Sequence, residues 1–542
     1  MRQRRPTTIP SVDSKNGQHE AGRSSTMHVP NGGDDENNNN KSGGKSSIRK
    51  RMLLELSPLR RNLHRIRQMN SLQSFGAVSF LLLLLLLLLW NTLYRVILIN
   101  EPAAGTNNNE SKSGEGIDEG GVAFDSKKSY FKFEPIHQEN DTYDIFNCPE
   151  VPPLNYPREY PILNVLRNWN PSIVKLDDYP DFIYQGICVF DFESTSNTNE
   201  EQEGGDEEST RKRRRLQIAK QVQNYRNAEV PFVIRNDPHV MKSVKLWHTR
   251  EYLKLNLDST KLYQATLSNS TIMTYYSMDP NYNIVPENFV TYTRNVPMTY
   301  KDWYTTALKV EKEINEYIQE PRHNYDKNSN SYPEPYAYLR LDACLPNQRC
   351  DSTYLGNPEL DNADFIYDAL DFFQPTTTTT TDNVTNLYQI NATEARGIQC
   401  RLGVPGIIAE DHFDNENNYI VMMGGSRRYL LGHPENCPNM YLYKQKHPLE
   451  RHTQIDWSRV TSDANDLRNK YPNFHLTTIN EVVLQPGDVL YLPTYWFHHI
   501  ISLTINYQCN TRSGYNVKYD QIIYDCGFFY DFPSYKDDTY VK

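Results

Sequence analysis

Residues 403–434 read GVPGIIAEDHFDNENNYIVMMGGSRRYLLGHP and residues 484–516 read LQPGDVLYLPTYWFHHIISLTINYQCNTRSGYN. The first stretch centres on His412-Phe413-Asp414. In an extended strand, residues two apart point to the same side, so the imidazole and the carboxylate converge. That pair is a weak signal alone, because the same spacing recurs at His137/Glu139 and His433/Glu435. In the second stretch Pro486-Gly487-Asp488 is a turn and VLYLP a strand, and His498 follows an aromatic run that forms an apolar wall.

Together His412, Asp414 and His498 supply two imidazoles and one carboxylate. Such a triad binds non-haem Fe(II) and leaves three coordination positions open. Two oxygens of 2-oxoglutarate and one dioxygen fill three positions. The remaining histidines at 433, 447, 452 and 475 read as surface or structural, and HPLERHTQIDW (447–457) as a lid by its position between the metal-bearing stretches.

Working outward, PFVIR, TIMTYY, AYLRL, IQCRLG, NNYIVMM, RRYLLG, EVVLQ and DVLYLP are expected strands, rich in β-branched and aromatic residues and closed by Gly, Pro or Asn. LWHTREYLKLN and KDWYTTALKVEKEINEYIQ are expected helices. Many short strands in the second half, with helices mostly before them, predict an all-β jelly-roll or barrel core under an N-terminal α-helical layer.

The two stretches resemble the JmjC and cupin-like Fe(II)/2-oxoglutarate dioxygenases, above all the branch of the asparaginyl hydroxylase that acts on hypoxia-inducible factor. The likeness rests on His412, Asp414, Asn418, Gly425, Arg428, Tyr429, Pro434, the Pro486-Gly487-Asp488 turn, Leu490, Tyr491, Pro493, Trp496 and His498, with PFVIRN at 231 resembling the strand that opens these domains. It covers about residues 225 to 515. The resemblance implies a double-stranded β-helix, Fe(II) and 2-oxoglutarate as cofactors, and His412, Asp414 and His498 as the catalytic metal ligands. It also implies Asn418 and Asn510 beside the co-substrate. Arg427 stands where a Lys usually meets the distal carboxylate of 2-oxoglutarate, and Ala409 where a Thr hydroxyl is common.

Phe75 to Trp90 reads FGAVSFLLLLLLLLLW, without a formal charge. Nine adjacent leucines are apolar on every face, which suits lipid better than a one-sided core. The N-terminal flank IRKRMLLELSPLRRNLHRIRQMN holds seven Lys+Arg against one Glu, so that side is expected to stay cytoplasmic. The expected organisation is a basic disordered tail (1–73), an uncleaved transmembrane signal-anchor helix (74–95), a flexible stalk (96–142), and a cupin-like domain (143–542) with surface-loop inserts near 194–217 and 374–386.

This arrangement is a single-pass type II membrane protein whose domain lies in the ER/Golgi lumen or outside the cell. All eight Cys follow the apolar run, and so do five of six Asn-x-Ser/Thr sequons, at Asn109, Asn140, Asn269, Asn383 and Asn391. Cys344 and Cys350 are the expected local disulfide.

Net charge divides as +8 over residues 1–73 (14 Lys+Arg, 6 Asp+Glu) and −18 over the rest (43 against 61). An acidic body speaks against a nucleic-acid partner. The type II layout is shared with glycosyltransferases, but the chain has no Asp-x-Asp for a nucleotide-sugar metal. The expected function is a lumenal oxygenase acting on a secretory-pathway protein or glycan. The alternative is a catalytically inactive cupin-like lumenal binding or scaffold protein.

Overall fold

The computed structural model describes residues 133–529, apart from 137–142, 194–206, 250, 317–335, 344–359, 375–386, 392–393, 396 and 461–463. The tail, the apolar run at 74–95, nearly all of the stalk, the Thr-rich insert and the Cys344/Cys350 pair lie outside the described residues. Among the described residues no helix is long and apolar enough to cross a membrane.

Among the described residues two large β-sheets face each other, and the strands numbered below are those of these two sheets; a short parallel pair, Glu134–Pro135 with Phe182–Ile183, stands apart from them. The strands in chain order are β1 (Tyr160–Pro161), β2 (Val189–Asp191), β3 (Phe232–Arg235), β4 (Tyr263–Ser268), β5 (Thr293–Met298), β6 (Tyr336–Ala343) and β7 (Ile398–Gly403). They continue as β8 (Ile408–Phe413), β9 (Asn418–Gly424), β10 (Arg427–Gly432), β11 (Thr478–Leu484), β12 (Val489–Leu492), β13 (Phe497–Ser502) and β14 (Asn506–Arg512). The smaller sheet runs β8-β13-β10-β11-β1 and the larger β2-β3-β12-β9-β14-β7-β6-β4-β5. From β8 onward the chain passes back and forth between the sheets, with β10 and β11 the one consecutive pair that shares a sheet, the jelly-roll pattern expected of the core.

The pleat sorts the larger sheet by chemistry. On β14, Asn506, Gln508, Asn510 and Arg512 share one face, and Tyr507, Cys509 and Thr511 the other. The polar face looks across at the smaller sheet, where Arg427 Nε donates to Asn506 Oδ1 at 2.6 Å and Tyr429 OH to Gln508 Oε1 at 3.2 Å. The apolar face is stapled by Cys400–Cys509, directly opposed on β7 and β14, and covered by helices. On one covering helix, Tyr300–Glu316, Trp303, Ala307 and Val310 form a buried i, i+4, i+7 stripe, and Trp303 packs on Tyr507.

The Pro486-Gly487-Asp488 turn has a structural purpose. Asp488 accepts from Arg235 Nε and Nη2 at 2.7 and 2.8 Å, tying the turn before β12 to the end of β3, with which β12 pairs. Gly487 has φ +96°, and a Cβ there would meet Met241 Sδ at 2.3 Å.

Several local expectations are corrected. The charged insert near 194–217 is not wholly a loop, because a helix runs from Glu207 through Asn227. Its second half buries Ile218, Val222 and Tyr225, an anchoring stripe just beyond the insert, while the basic run Arg211 to Arg215 lies in the helix's charged first half. TIMTYY is not a strand; Ile272 makes one isolated bridge to Ile408. LWHTREYLKLN is divided between helices Pro238–Trp247 and Tyr252–Asn256, because Asp237 accepts from His239 N and starts the first helix upstream, at Pro238. The folded body also begins before 143: Glu134–Pro135 pairs with Phe182–Ile183, and Phe133 packs on Trp169 with centroids 5.2 Å apart.

Candidate metal centre

β8 and β13 pair antiparallel, and their register sets His412 directly opposite His498. Asp414 follows the end of β8. One ligand atom from each of the three side chains lies within 4.8 Å of the others, and His498 Nε2 is 3.9 Å from Asp414 Oδ2. His412 Nδ1 bonds Glu410 O at 2.7 Å and His498 Nδ1 bonds Trp496 O at 3.0 Å. A carbonyl only accepts, so each Nδ1 carries the proton and each Nε2 presents its lone pair to the site.

Electrostatics keep the donors ready. Burial, then the neighbouring His498 and His452, holds His412 well below the ordinary histidine range, and burial lowers His498 as well. Burial by itself would raise the Asp414 carboxyl. Arg512, His498, His412 and Arg451 outweigh it and keep the carboxylate ionised. Arg512 Nη2 stands 2.7 Å from Asp414 Oδ2 and Arg451 Nη1 3.7 Å from Oδ1. Two neutral imidazoles and one ionised carboxylate are the donor set that Fe(II) takes, so the residues fit the metal.

The other expected site residues are placed as follows. Asn418 on β9 and Asn510 on β14 both face the barrel interior and are joined, with Asn510 Nδ2 donating to Asn418 Oδ1 at 3.1 Å. Arg427 also points inward. Its Nε donates to Asn506, its Nη1 to Tyr338 OH at 3.1 Å and to Gln508, and its Nη2 to the Arg401 carbonyl at 3.2 Å. Four of the five N–H donors of a guanidinium are thereby engaged, so a two-pronged grip on a carboxylate would break existing bonds. Ala409 lies on β8 before the bulge that precedes His412.

His452 was expected at the surface or in a structural place, and the structure buries it against the site. Its ring stacks on His412 at 4.8 Å and 17°, and its backbone bridges His412. Its pKa is lowered to about 4 by burial and then by Arg451. The 447–457 segment therefore borders the metal ligands, though no sequence pattern singled out His452. Arg512 was missed as well; its place two residues beyond Asn510, on the same face of one strand, was the available signal.

Fold and site together define a double-stranded β-helix with a two-histidine, one-carboxylate metal centre. The chain belongs to the cupin-like domain family, whose signature matches residues 218–522. Proteins of this JmjC-related family use Fe(II) and 2-oxoglutarate, and the His412, Asp414, His498 site is present here. The chain is 30% identical over 102 residues to the tRNA wybutosine-synthesizing protein 5 of Mus musculus, covering 19% of this chain and 29% of that protein. It is 29% identical over 105 residues to the Jumonji C domain-containing protein 5 of Drosophila melanogaster (19% and 24%). To the lysine-specific demethylase 8 of Xenopus tropicalis it is 26% identical over 110 residues (20% and 23%). The matches thus span under a third of the length of each relative.

Proposed function

We propose that the chain is a membrane-anchored Fe(II)/2-oxoglutarate-dependent oxygenase that hydroxylates a secretory-pathway protein or glycan in the ER/Golgi lumen. The observation that carries the proposal is the convergence of His412, Asp414 and His498, with both Nδ1 atoms tied to backbone carbonyls and both Nε2 atoms turned to one point. Bound Fe(II) and 2-oxoglutarate supply the oxidising power that places one atom of dioxygen in a C–H bond while the 2-oxo acid becomes succinate and carbon dioxide. The chain's own part is to hold two neutral imidazoles and one ionised carboxylate on fixed strands. The joined Asn418 and Asn510 amides line the adjacent floor, and the 447–457 segment beside His412 borders the mouth.

The lumenal placement is supported by the Leu81 to Leu89 run with its basic flank and by the sequons after it. Among the described residues disulfides join Cys148 to Cys188, Cys400 to Cys509 and Cys437 to Cys526, which suits an oxidising compartment. Asn269, in one sequon, is exposed beside the end of β4. The sequence pattern favours the branch of the asparaginyl hydroxylase. The relatives are named for tRNA and lysine chemistry, while the charge of −18 after residue 73 speaks against a nucleic-acid substrate here.

The test is anaerobic titration of the detergent-solubilised chain with Fe(II) and then 2-oxoglutarate. A metal-to-ligand charge-transfer band, followed in air by conversion of 2-oxoglutarate to succinate, is the expected outcome. Ala409 and the engaged donors of Arg427 favour a second reading, a non-catalytic lumenal binding protein. Metal retention without the band selects that reading.

A further inference from the structure

The inward face of the larger sheet carries more cationic groups than its own acids answer. Arg401 on β7 stands opposite Gln508 on one side and opposite Arg340, on β6, on the other. Gln508 accepts from Arg427 and Tyr429 of the facing sheet, so this row looks into the barrel. The next row toward the metal holds Asn510, Gln399 and Asp342, and the row after that holds Asn418 and Arg512, which touches Asp414. Arg401 Nη2 donates to Gln399 Oε1 at 3.0 Å, which carries its guanidinium up the strand toward the Asn510 row.

Side by side on paired strands, Arg340 and Arg401 repel each other. Burial, and next the charge of Arg340, brings the Arg401 pKa down to about 10. Arg340 Nε is buried with no acceptor, and among the described residues Asp342 makes no ion pair with either arginine, its own Oδ1 being without a hydrogen-bond partner. Two half-buried guanidinium groups side by side without an anion are costly, and an anionic ligand between the two removes that cost. Arg427, by contrast, is already held by Asn506, Gln508, Tyr338 and the Arg401 carbonyl.

We propose that Arg401 and Arg340, rather than Arg427, form the subsite for the distal carboxylate of the 2-oxo dicarboxylic acid whose keto-acid end meets His412, Asp414 and His498. The inference rests on the oxygenase reading above. The Arg340 and Arg401 row lies two rows, about 13 Å of strand, from the row that touches Asp414, and the Arg401 guanidinium reaches back one of them toward Gln399, which leaves a span of about 6.6–6.8 Å, on the scale of a five-carbon dicarboxylate. Arg427 is then the brace that fixes Gln508 and the Arg401 backbone behind the subsite, a positioning residue.

The experiment is calorimetric titration of the Mn(II)-loaded full chain with 2-oxoglutarate and with 2-oxobutyrate, which keeps the keto-acid head and lacks the distal carboxylate. Arg401→Gln and Arg340→Gln are each expected to weaken 2-oxoglutarate roughly 10- to 150-fold and to leave 2-oxobutyrate within about threefold, the loss of one or two charged hydrogen bonds. Arg401→Lys, which keeps the charge and covers the case in which the Gln variant does not fold, is expected to recover part of the loss. Manganese stoichiometry and melting temperature report folding for each variant. Unchanged 2-oxoglutarate affinity in the Arg401 and Arg340 variants, or an equal loss for both acids, overturns the inference and leaves the oxygenase reading standing. A wild type that holds Mn(II) and binds neither acid overturns the oxygenase reading, and this inference with it.

Discussion

His498 and His499 are neighbours on β13, Arg427 and Arg428 are neighbours on β10, and the pleat sends the members of each pair to opposite faces of the smaller sheet. Inside the barrel, His498 keeps Nε2 turned toward Asp414, and Arg427 is held only by neutral acceptors. Outside, Arg428 pairs with Glu481, both fully buried, donates to Trp169 O at 2.8 Å and lies 4.3 Å from the Trp169 ring. His499 stacks flat on Trp457 at 4.7 Å and 4°, and neither ring nitrogen has a hydrogen-bond partner. Identical residue types thus serve a liganding face and a closing face. What separates them is the partner each face supplies, Asp414 and neutral amide, phenol and carbonyl acceptors inside, and Glu481 with the Trp169 and Trp457 rings outside.

The largest effect expected from this contrast is on the metal. His498→Ala should abolish retention of Fe(II) or Mn(II) by the purified protein, measured as metal per chain, whereas His499→Ala should keep it at the wild-type level. Equal loss in both would erase the distinction between the faces.

Next in size is the outer ion pair. Arg428→Ala leaves Glu481 buried without its cation and should lower unfolding free energy by about 3–5 kcal/mol. Denaturant melts should show most of that loss recovered in Arg428→Met combined with Glu481→Leu. A double variant as unstable as the single one would mean that Arg428 matters through Trp169 and not through Glu481.

Arg427→Met is expected to cost less, about 1.5–3 kcal/mol, because the groups it abandons are neutral amides, a phenol and a carbonyl. A larger stability loss than that of Arg428→Ala, in the same melts, would reverse the ranking of the two faces.

The smallest effect concerns His499 and depends on pH. Burial, and then Arg428, pushes its pKa down to about 3. Between pH 6.5 and about 3 the unfolded chain therefore binds the extra proton. The stability contribution is full above pH 6.5 and is lost as pH falls toward about 3. His499→Phe keeps a ring on Trp457, relieves two buried unpaired nitrogens and cannot titrate. It should be about 1–3 kcal/mol more stable than wild type at pH 5, with a smaller gain at pH 7.5. A gain that does not change between the two pH values would show that protonation of His499 plays no part.

The local strand signals served well where β-branched and aromatic runs ended in Gly or Pro, as in IQCRLG, NNYIVMM, RRYLLG and VLYLP. They failed at TIMTYY, which has the composition of a strand but is left with one bridge to Ile408. They also missed the helix beginning at Glu207, because its first half is charged all round and only Ile218, Val222 and Tyr225 reveal a buried side. The three candidate metal ligands were legible because His412 and Asp414 lie two residues apart and His498 ends an aromatic run. His452, Arg340 and Arg401 were not, since nothing local marks them.

By itself the sequence determined the β-rich core, the acidic body and the apolar run ahead of it, which follow from composition, period and spacing along one segment at a time, and it offered the His412, Asp414, His498 donor set through the resemblance of two joined stretches to a known family. The tertiary structure decided which of two adjacent histidines and two adjacent arginines faces the barrel, that Arg512 leans on Asp414, that His452 stacks on His412, and that Arg340 and Arg401 meet across β6 and β7. The physical reason is that these are consequences of strand register. Register is fixed by hydrogen-bonded pairing between segments tens of residues apart, and a slip of one residue would exchange every inward side chain for its outward neighbour.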